Sequence, residues 1–199
     1  MAELPASIVR RAVRAFIAVF PPPEIQAAAI AQALETVQRL GECASDRVRW
    51  VRPENVHLTL KFLGNVRKEI LGDLCAALEE ACAGHAPFDV ALVGFGAFPS
   101  AQRARILWAG VGVGSDQLRA LATDLQDTLA PLGFEREERA FTPHLTLGRL
   151  RSRPASFDLP TVAGVLGFQV RRVELTESTL SPEGAAYRTI KAFALKKRG

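Results

Sequence analysis

The word His-Leu-Thr-Leu occurs twice, at His57–Leu60 and at His144–Leu147, and the two copies hold two of the chain's three histidines. At ordinary residue usage chance would put Leu-Thr-Leu behind a second histidine roughly once in a thousand trials, so the repeat carries information. Within each word apolar and polar residues alternate, the pattern of a half-buried β-strand. Alternation of period two sets His57 and Thr59 on one face, and His144 and Thr146 likewise. Leu58, Leu60, Leu145 and Leu147 then turn to the core. Imidazole titrates near neutrality, so one of the pair can take a proton while the other gives one. That combination suits displacement at phosphorus, in which a base activates water and an acid protonates the departing alkoxide. The two threonine hydroxyls can hydrogen-bond the nonbridging oxygens. A 2′,3′-cyclic phosphate fits such a site because its strained ring is reactive without a metal. Zinc would want three or four ligands. No acidic residue accompanies either word in its strand and the cysteines lie elsewhere, so neither metal nor cofactor is expected.

The elements that must position these groups follow a repeated order. Arg14–Phe20 reads as a strand stopped by Pro21-Pro22-Pro23, and Glu24–Leu40 as a helix. Val48–Val51 and Val56–Leu63 read as short strands, Lys68–Ala83 as a helix, and Phe88–Phe98 as a strand bent at Gly94 and Gly96. The order then restarts with a strand at Arg105–Val111 and a helix at Ser115–Leu132 capped by Ser115. A strand at Phe141–Leu150 and a loop with one short helix at 151–166 follow. Phe168–Leu180 and Tyr187–Leu195 are the last strands, joined by the turn Ser181-Pro182-Glu183-Gly184. Phe88-Asp89-Val90 and Phe168-Gln169-Val170 open matching elements, and the histidines stand 87 residues apart in a chain of 199. We therefore expect an α+β fold over residues 14–199. It would comprise two pseudo-symmetric lobes, about 14–98 and 105–195, that exchange strands in one reading. Each lobe would carry an antiparallel sheet, with the active-site cleft between them. Residues 1–13 read as an N-terminal extension.

Composition narrows the class. An apolar content of 48% is that of a globular protein, and no apolar run could span a bilayer. Arg10, Arg11 and Arg14 interrupt the apolar N-terminal stretch, which argues against a secretory signal. Three cysteines, Cys43, Cys75 and Cys82, have no metal spacing and read as reduced thiols of a cytoplasmic protein. The formal charge of +4 permits an anionic partner such as RNA without demanding one.

Longer stretches of the chain resemble a known family. Trp50-Val51, then Glu54-Asn55-Val56-His57-Leu58-Thr59-Leu60-Lys61-Phe62-Leu63-Gly64, resembles the first signature of the LigT-like, or bacterial 2′-5′ RNA ligase, family. Phe141-Thr142-Pro143-His144-Leu145-Thr146-Leu147-Gly148-Arg149 resembles the second. Arg14–Ala18, Arg105–Gly110, Leu175–Leu180 and Tyr187 are similar to further family segments, so the likeness runs from about Arg14 to Leu195. The resemblance implies a two-histidine phosphoesterase that opens RNA 2′,3′-cyclic phosphate ends to 2′-phosphomonoesters. It also implies joining of tRNA halves through a 2′-5′ linkage. By the same analogy His57 is the general acid, His144 the base, and Thr59 and Thr146 hold the phosphate, although the symmetry of the two words leaves acid and base interchangeable. Arg149 matches a substrate-contacting position, and Phe62 is a candidate wall for a nucleobase. Both stand five residues after their histidine, a parity that would turn them to the wrong face of a regular strand; a bulge at Gly148 would turn Arg149 inward. Lys61 has the parity to reach the cleft. The expected partners are RNA ends carrying the cyclic phosphate, met by a monomer with no membrane attachment. Two other readings are a phosphodiesterase for small nucleotide cyclic phosphates and a non-catalytic module that binds RNA ends.

Overall fold

The computed structural model describes residues 12–39, 45–151, 156, 166–182 and 184–196. Among them nine strands form one antiparallel sheet. They are β1 Ala12–Val19, β2 Val48–Trp50, β3 Leu58–Arg67, β4 Phe88–Phe98, β5 Ile106–Val111, β6 His144–Leu150, β7 Leu166–Val170, β8 Arg172–Ser181 and β9 Gly184–Ala194. Three α-helices accompany them: α1 Pro23–Gln38, α2 Leu71–Ala83 and α3 Ser115–Leu129. The sheet order is β7-β4-β5-β6-β3-β1-β8-β9, with β2 beside β6. The fold is α+β, as expected.

The two words sit where the halves of the sheet meet. β3 and β6 share one paired position, Leu58 opposite Leu145. The rest of that edge of β6 is taken by β2, which pairs Val48, Arg49 and Trp50 with Leu150, Arg149 and Gly148. A wedge of three residues thus forces β3 and β6 apart beyond the words and opens the sheet there. On one side of the junction lie β6, β5, β4 and β7, and on the other β3, β1, β8 and β9. Thus β4, from the first half of the chain, sits among strands of the second, and β8, with β9 beyond it, lies beside β1. Phe88-Asp89-Val90 and Phe168-Gln169-Val170, expected to open equivalent elements, are instead direct neighbours, with Val90 opposite Phe168.

All three helices pack on one face. Ala29, Ile30 and Ala33 of α1, Leu74 and Leu78 of α2, and Leu118, Leu121 and Leu125 of α3 join Ile17, Leu58, Leu60, Leu145, Leu147 and Leu175 in a single core. The leucines of both words are buried there. Each fully buried leucine contributes about 2 kcal/mol of transfer free energy, which holds the histidine face outward.

Several expected elements differ. Phe168–Leu180 is not one strand; it breaks at Arg171 into β7 and β8, which lie on opposite sides of the junction, and the Arg171 carbonyl accepts a hydrogen bond from the Leu195 amide. Ser115 is not the cap of α3. Gly114, at φ 82°, takes that position, and the Ser115 hydroxyl donates to the Val111 carbonyl at 2.8 Å. Adding a side chain at Gly114 would drive a carbon to 2.4 Å from the Asp89 carbonyl, so only glycine fits. The bend expected at Gly94 and Gly96 is a bulge at Gly94. Cys75 and Cys82 are free thiols. Cys43, most of the expected loop at 151–166 and nearly all of the extension 1–13 lie outside the described residues.

Candidate active site

The leucine pair at the junction sets the geometry of the site. Continuing the Leu58–Leu145 register by one residue puts His57 opposite Thr146 and Thr59 opposite His144. The four polar groups form a square on the face away from the helices, each histidine across from the other word's threonine. Cross-strand neighbours in such a pair lie about 5 Å apart, so one phosphoryl group can touch all four.

Backbone carbonyls fix both imidazoles in one tautomer. His57 Nδ1 lies 2.7 Å from the Asn55 carbonyl and His144 Nδ1 2.8 Å from the Thr142 carbonyl. A carbonyl only accepts, so each Nδ1 carries the hydrogen and each Nε2 is left as the working nitrogen. The carbonyl comes from two residues upstream in both cases. Asn55 is itself anchored, donating through Nδ2 to the Ala185 carbonyl at 2.8 Å. That bond ties the first word to the start of β9.

The surroundings of the two rings differ. The ring centroid of His57 lies 4.8 Å from Phe16, 5.2 Å from Phe20 and 5.2 Å from Tyr187, which meets it edge-on. His144 touches Phe98 edge-on at 5.0 Å, with Trp108 at 6.2 Å. Trp108 lies over Gly96, where an added Cβ would come within 2.2 Å of its ring. Burial in its aromatic cage pushes the His57 pKa down to about 4; its bond to Asn55 opposes this and the nearby His144 adds to it. His144 is lowered too, by burial, against its bond to Thr142. Without an anion both rings are neutral at pH 7.

Bulges decide which residues after the words reach this face. Between β1 and β3 the register skips Leu60, so Ile17 meets Lys61 and Phe16 meets Phe62. Between β5 and β6 it skips Leu147, so Trp108 meets Thr146 and Leu107 meets Gly148. The extra residue is the second leucine of each word, and it reverses the parity of the residues that follow; in β3 a second shift, which skips Leu63, restores the original parity from Gly64 on. Phe62 therefore projects onto the histidine face, 66% exposed, its ring 6.3 Å from Phe16. Arg149 turns to that face by the same device, one residue earlier than the bulge expected at Gly148. Lys61 goes the other way, contrary to its expected reach into the cleft. It is buried, with Nζ donating to the Glu135 carbonyl at 2.6 Å. Gly148 occupies the equivalent place in the second word, where a Cβ would collide with Val48 at 2.4 Å. β2 fills the volume that Lys61 fills in the other half.

The structure thus brings His57, Thr59, His144 and Thr146 together and sets Phe62 and Arg149 on the same face. It adds Phe16, Phe20, Tyr187, Phe98 and Trp108, which sequence reasoning did not single out as site residues. Among the described residues no cluster of three or more His, Cys, Asp or Glu could hold a metal ion.

Comparison with known proteins places this arrangement. Residues 19–108 and 111–187 match the family described as LigT like Phosphoesterase. The chain belongs to the LigT-like phosphoesterase family. One relative is an RNA 2′,3′-cyclic phosphodiesterase of Aquifex aeolicus, 30% identical over 93% of this chain and 98% of its own length. Another, of the same description, from Archaeoglobus fulgidus, is 36% identical over 73% of this chain and 83% of its own. Among solved structures, TT0787 of Thermus thermophilus superposes with a TM-score of 0.79 at 30% identity, covering 94% of this chain and all of that one. E. coli LigT complexed with 3′-AMP gives 0.78 at 26% identity, over 94% and 99%. In this LigT-like phosphoesterase both family words fall at the sheet junction, and no helix among the described residues is long and apolar enough to cross a membrane.

Proposed function

We propose that this chain opens the 2′,3′-cyclic phosphate end of an RNA to the 2′-phosphomonoester, with no metal. The observation that carries the reading is the pair of imidazoles locked by the same backbone bond, each followed two residues along its strand by a threonine on the same face. The names of the relatives support the substrate. Water attacks phosphorus as His144 Nε2 takes its proton; the P–O3′ bond breaks, and His57 Nε2–H protonates O3′. Thr59 and Thr146 donate to the nonbridging oxygens, and Phe62 and Arg149 hold the terminal nucleoside. With the 5′-hydroxyl of a second RNA, such as a tRNA half, in place of water, the same step forms a 2′-5′ linkage. The protein works as a cytoplasmic monomer, a setting consistent with the free thiols of Cys75 and Cys82.

One observation favours the opposite division of labour. The cage around His57 expels its proton more strongly, so a single proton shared by the pair rests on His144. His144 would then be the acid.

The test is an oligoribonucleotide ending in a 2′,3′-cyclic phosphate, incubated with excess chelator, with 2′- and 3′-phosphate products resolved. We expect the 2′-phosphate, and loss of at least about a hundredfold in rate in both His57→Ala and His144→Ala. Full activity in either variant, with the fold intact by circular dichroism, refutes the two-histidine chemistry. Turnover confined to cyclic mononucleotides would favour the small-substrate reading. Binding without turnover, unaffected by either replacement, would favour the binding module.

A further inference from the structure

Beyond the histidine square, the same face carries a row of hydrogen-bond donors running across four strands. Arg14 of β1 is two residues before Phe16, whose ring lies against His57, and alternation keeps both on one face. Arg14 pairs with Asn65 of β3. Ala15 pairs with Glu177 of β8 and Ser178 with Tyr187 of β9, so the next rung aligns Asn65, Arg14, Ser178 and Tyr187. The Tyr187 ring leans from this rung onto Phe16 and His57, at 5.0 and 5.2 Å. It therefore joins the row to the reacting centre. Arg149 faces the row from β6, and the positive fields of Arg149 and Arg14 both reach the Tyr187 hydroxyl.

The charge of this row is uncompensated. Among the described residues neither Arg14 nor Arg149 has a carboxylate within 4.0 Å, whereas six other arginines and lysines do. The nearest acidic residue along β8, Glu177, points the other way by parity and is held by Arg188 through Nε at 3.0 Å and Nη2 at 2.6 Å. An exposed arginine with no internal partner, lined up with an amide, a hydroxyl and a phenol, matches a phosphodiester, which offers a single charge on two oxygens. From the Phe16 rung to the Arg14 rung is two residues, about 7 Å, the scale of one nucleotide step.

We propose that Arg14, with Asn65, Ser178 and Tyr187, forms a second anion subsite that takes the phosphodiester on the 5′ side of the terminal nucleotide. This rests on the cyclic-phosphate reading above and narrows it. The substrate is an RNA chain of at least two nucleotides, and a cyclic mononucleotide leaves the subsite empty. Here binding energy from a part of the substrate that does not react supports catalysis at the part that does.

The experiment compares kcat/KM for a 2′,3′-cyclic mononucleotide, for the dinucleotide ending in the same cyclic phosphate, and for that dinucleotide with a neutral methylphosphonate at its internal linkage. For the wild-type chain we expect the dinucleotide to exceed the mononucleotide by about tenfold, and the methylphosphonate to lose most of that advantage. In Arg14→Ala the ratio of dinucleotide to mononucleotide should fall towards one, and the charged and neutral linkages should become equivalent. Arg14→Lys should restore part of the ratio. A wild-type ratio near one, or a methylphosphonate as good as the diester, overturns the subsite while leaving the hydrolase standing. So does an Arg14→Ala variant that lowers all three substrates alike. A wild-type protein inert on all three overturns the hydrolase reading and the subsite with it.

Discussion

Removing the imidazole at position 57 should flatten the acid side of the stability curve, and the size of that change follows from the cage. His57 is neutral in the fold down to a pKa of about 4, against 6.5 in a solvated chain. Between those values the unfolded chain binds a proton that the folded one refuses, so stability falls as the pH falls. Above 6.5 neither state is charged at this residue and its contribution is whole. At about 1.4 kcal/mol per tenfold change in proton affinity, the full gap is worth about 3 kcal/mol. Some of it remains uncollected at about pH 4.5, where the expected loss is about 2.5 kcal/mol. The assay is urea unfolding of wild type and His57→Gln at about pH 7.5 and about pH 4.5. Titration of groups not coupled to His57 is common to both proteins and cancels in the comparison. His57→Gln will be less stable at neutral pH, since it vacates a ring packed on Phe16, Phe20 and Tyr187. The difference between the two proteins must nevertheless shrink by about 2.5 kcal/mol on acidification. Parallel losses, within about 0.5 kcal/mol, would mean that His57 titrates normally and that the cage does not desolvate it.

Two further outcomes can be checked. A substrate whose cyclic ester carries sulfur at the 3′ position leaves as a thiolate and needs no acid, so it should restore turnover in whichever histidine variant lacks the acid. Restoration in His57→Ala supports His57 as acid, restoration in His144→Ala supports the reverse, and restoration in neither refutes acid catalysis by both. Gly96→Ala would place a carbon 2.2 Å from the Trp108 ring and lift it against His144 and Phe98. Overpacking of this kind costs about 1–3 kcal/mol, and kcat should fall about tenfold with a shift in Trp108 emission, read with Trp50→Phe as background. Gly72→Ala, which meets nothing within 4 Å, is the control, and equal activity in both variants would show that Trp108 does not position His144.

The sequence made the words legible because each stands in a strand whose leucines obey period two. It made the next five residues illegible for the same reason, since strict alternation assigns Phe62 and Arg149 to the core. A signal was nevertheless present. Leu58, Leu60 and Leu63 are spaced two and then three, and Leu145, Leu147 and Leu150 repeat that spacing. A step of three in a strand reverses parity and marks a bulge, and here it does so at the same place in both words. The aromatic cage carried no such signal. Phe16 and Phe20 stand far from Tyr187 in the chain, and the three meet at His57 only because β1 pairs with β3 and β9 joins the sheet through β8. The break at Arg171 was hidden because the apolar pattern runs through it. What separates β7 from β8 is the pairing each finds, with β4 and with β1, and pairing is not written locally.

Two identical words therefore give two different imidazoles. The local part, tautomer and neighbouring hydroxyl, is set by the word and by the carbonyl two residues upstream, and it is equal in both copies. The non-local part is set by what the sheet brings alongside: three aromatic rings at His57, two at His144. A symmetric pair would share its proton evenly and populate the required one-proton state no more in one arrangement than in the other. With His57 the more strongly desolvated, the first proton drawn in when an anion seats between the four groups has a preferred place on His144. The repeat in the sequence supplies two matched imidazoles, and the unequal aromatic surroundings make their proton affinities differ.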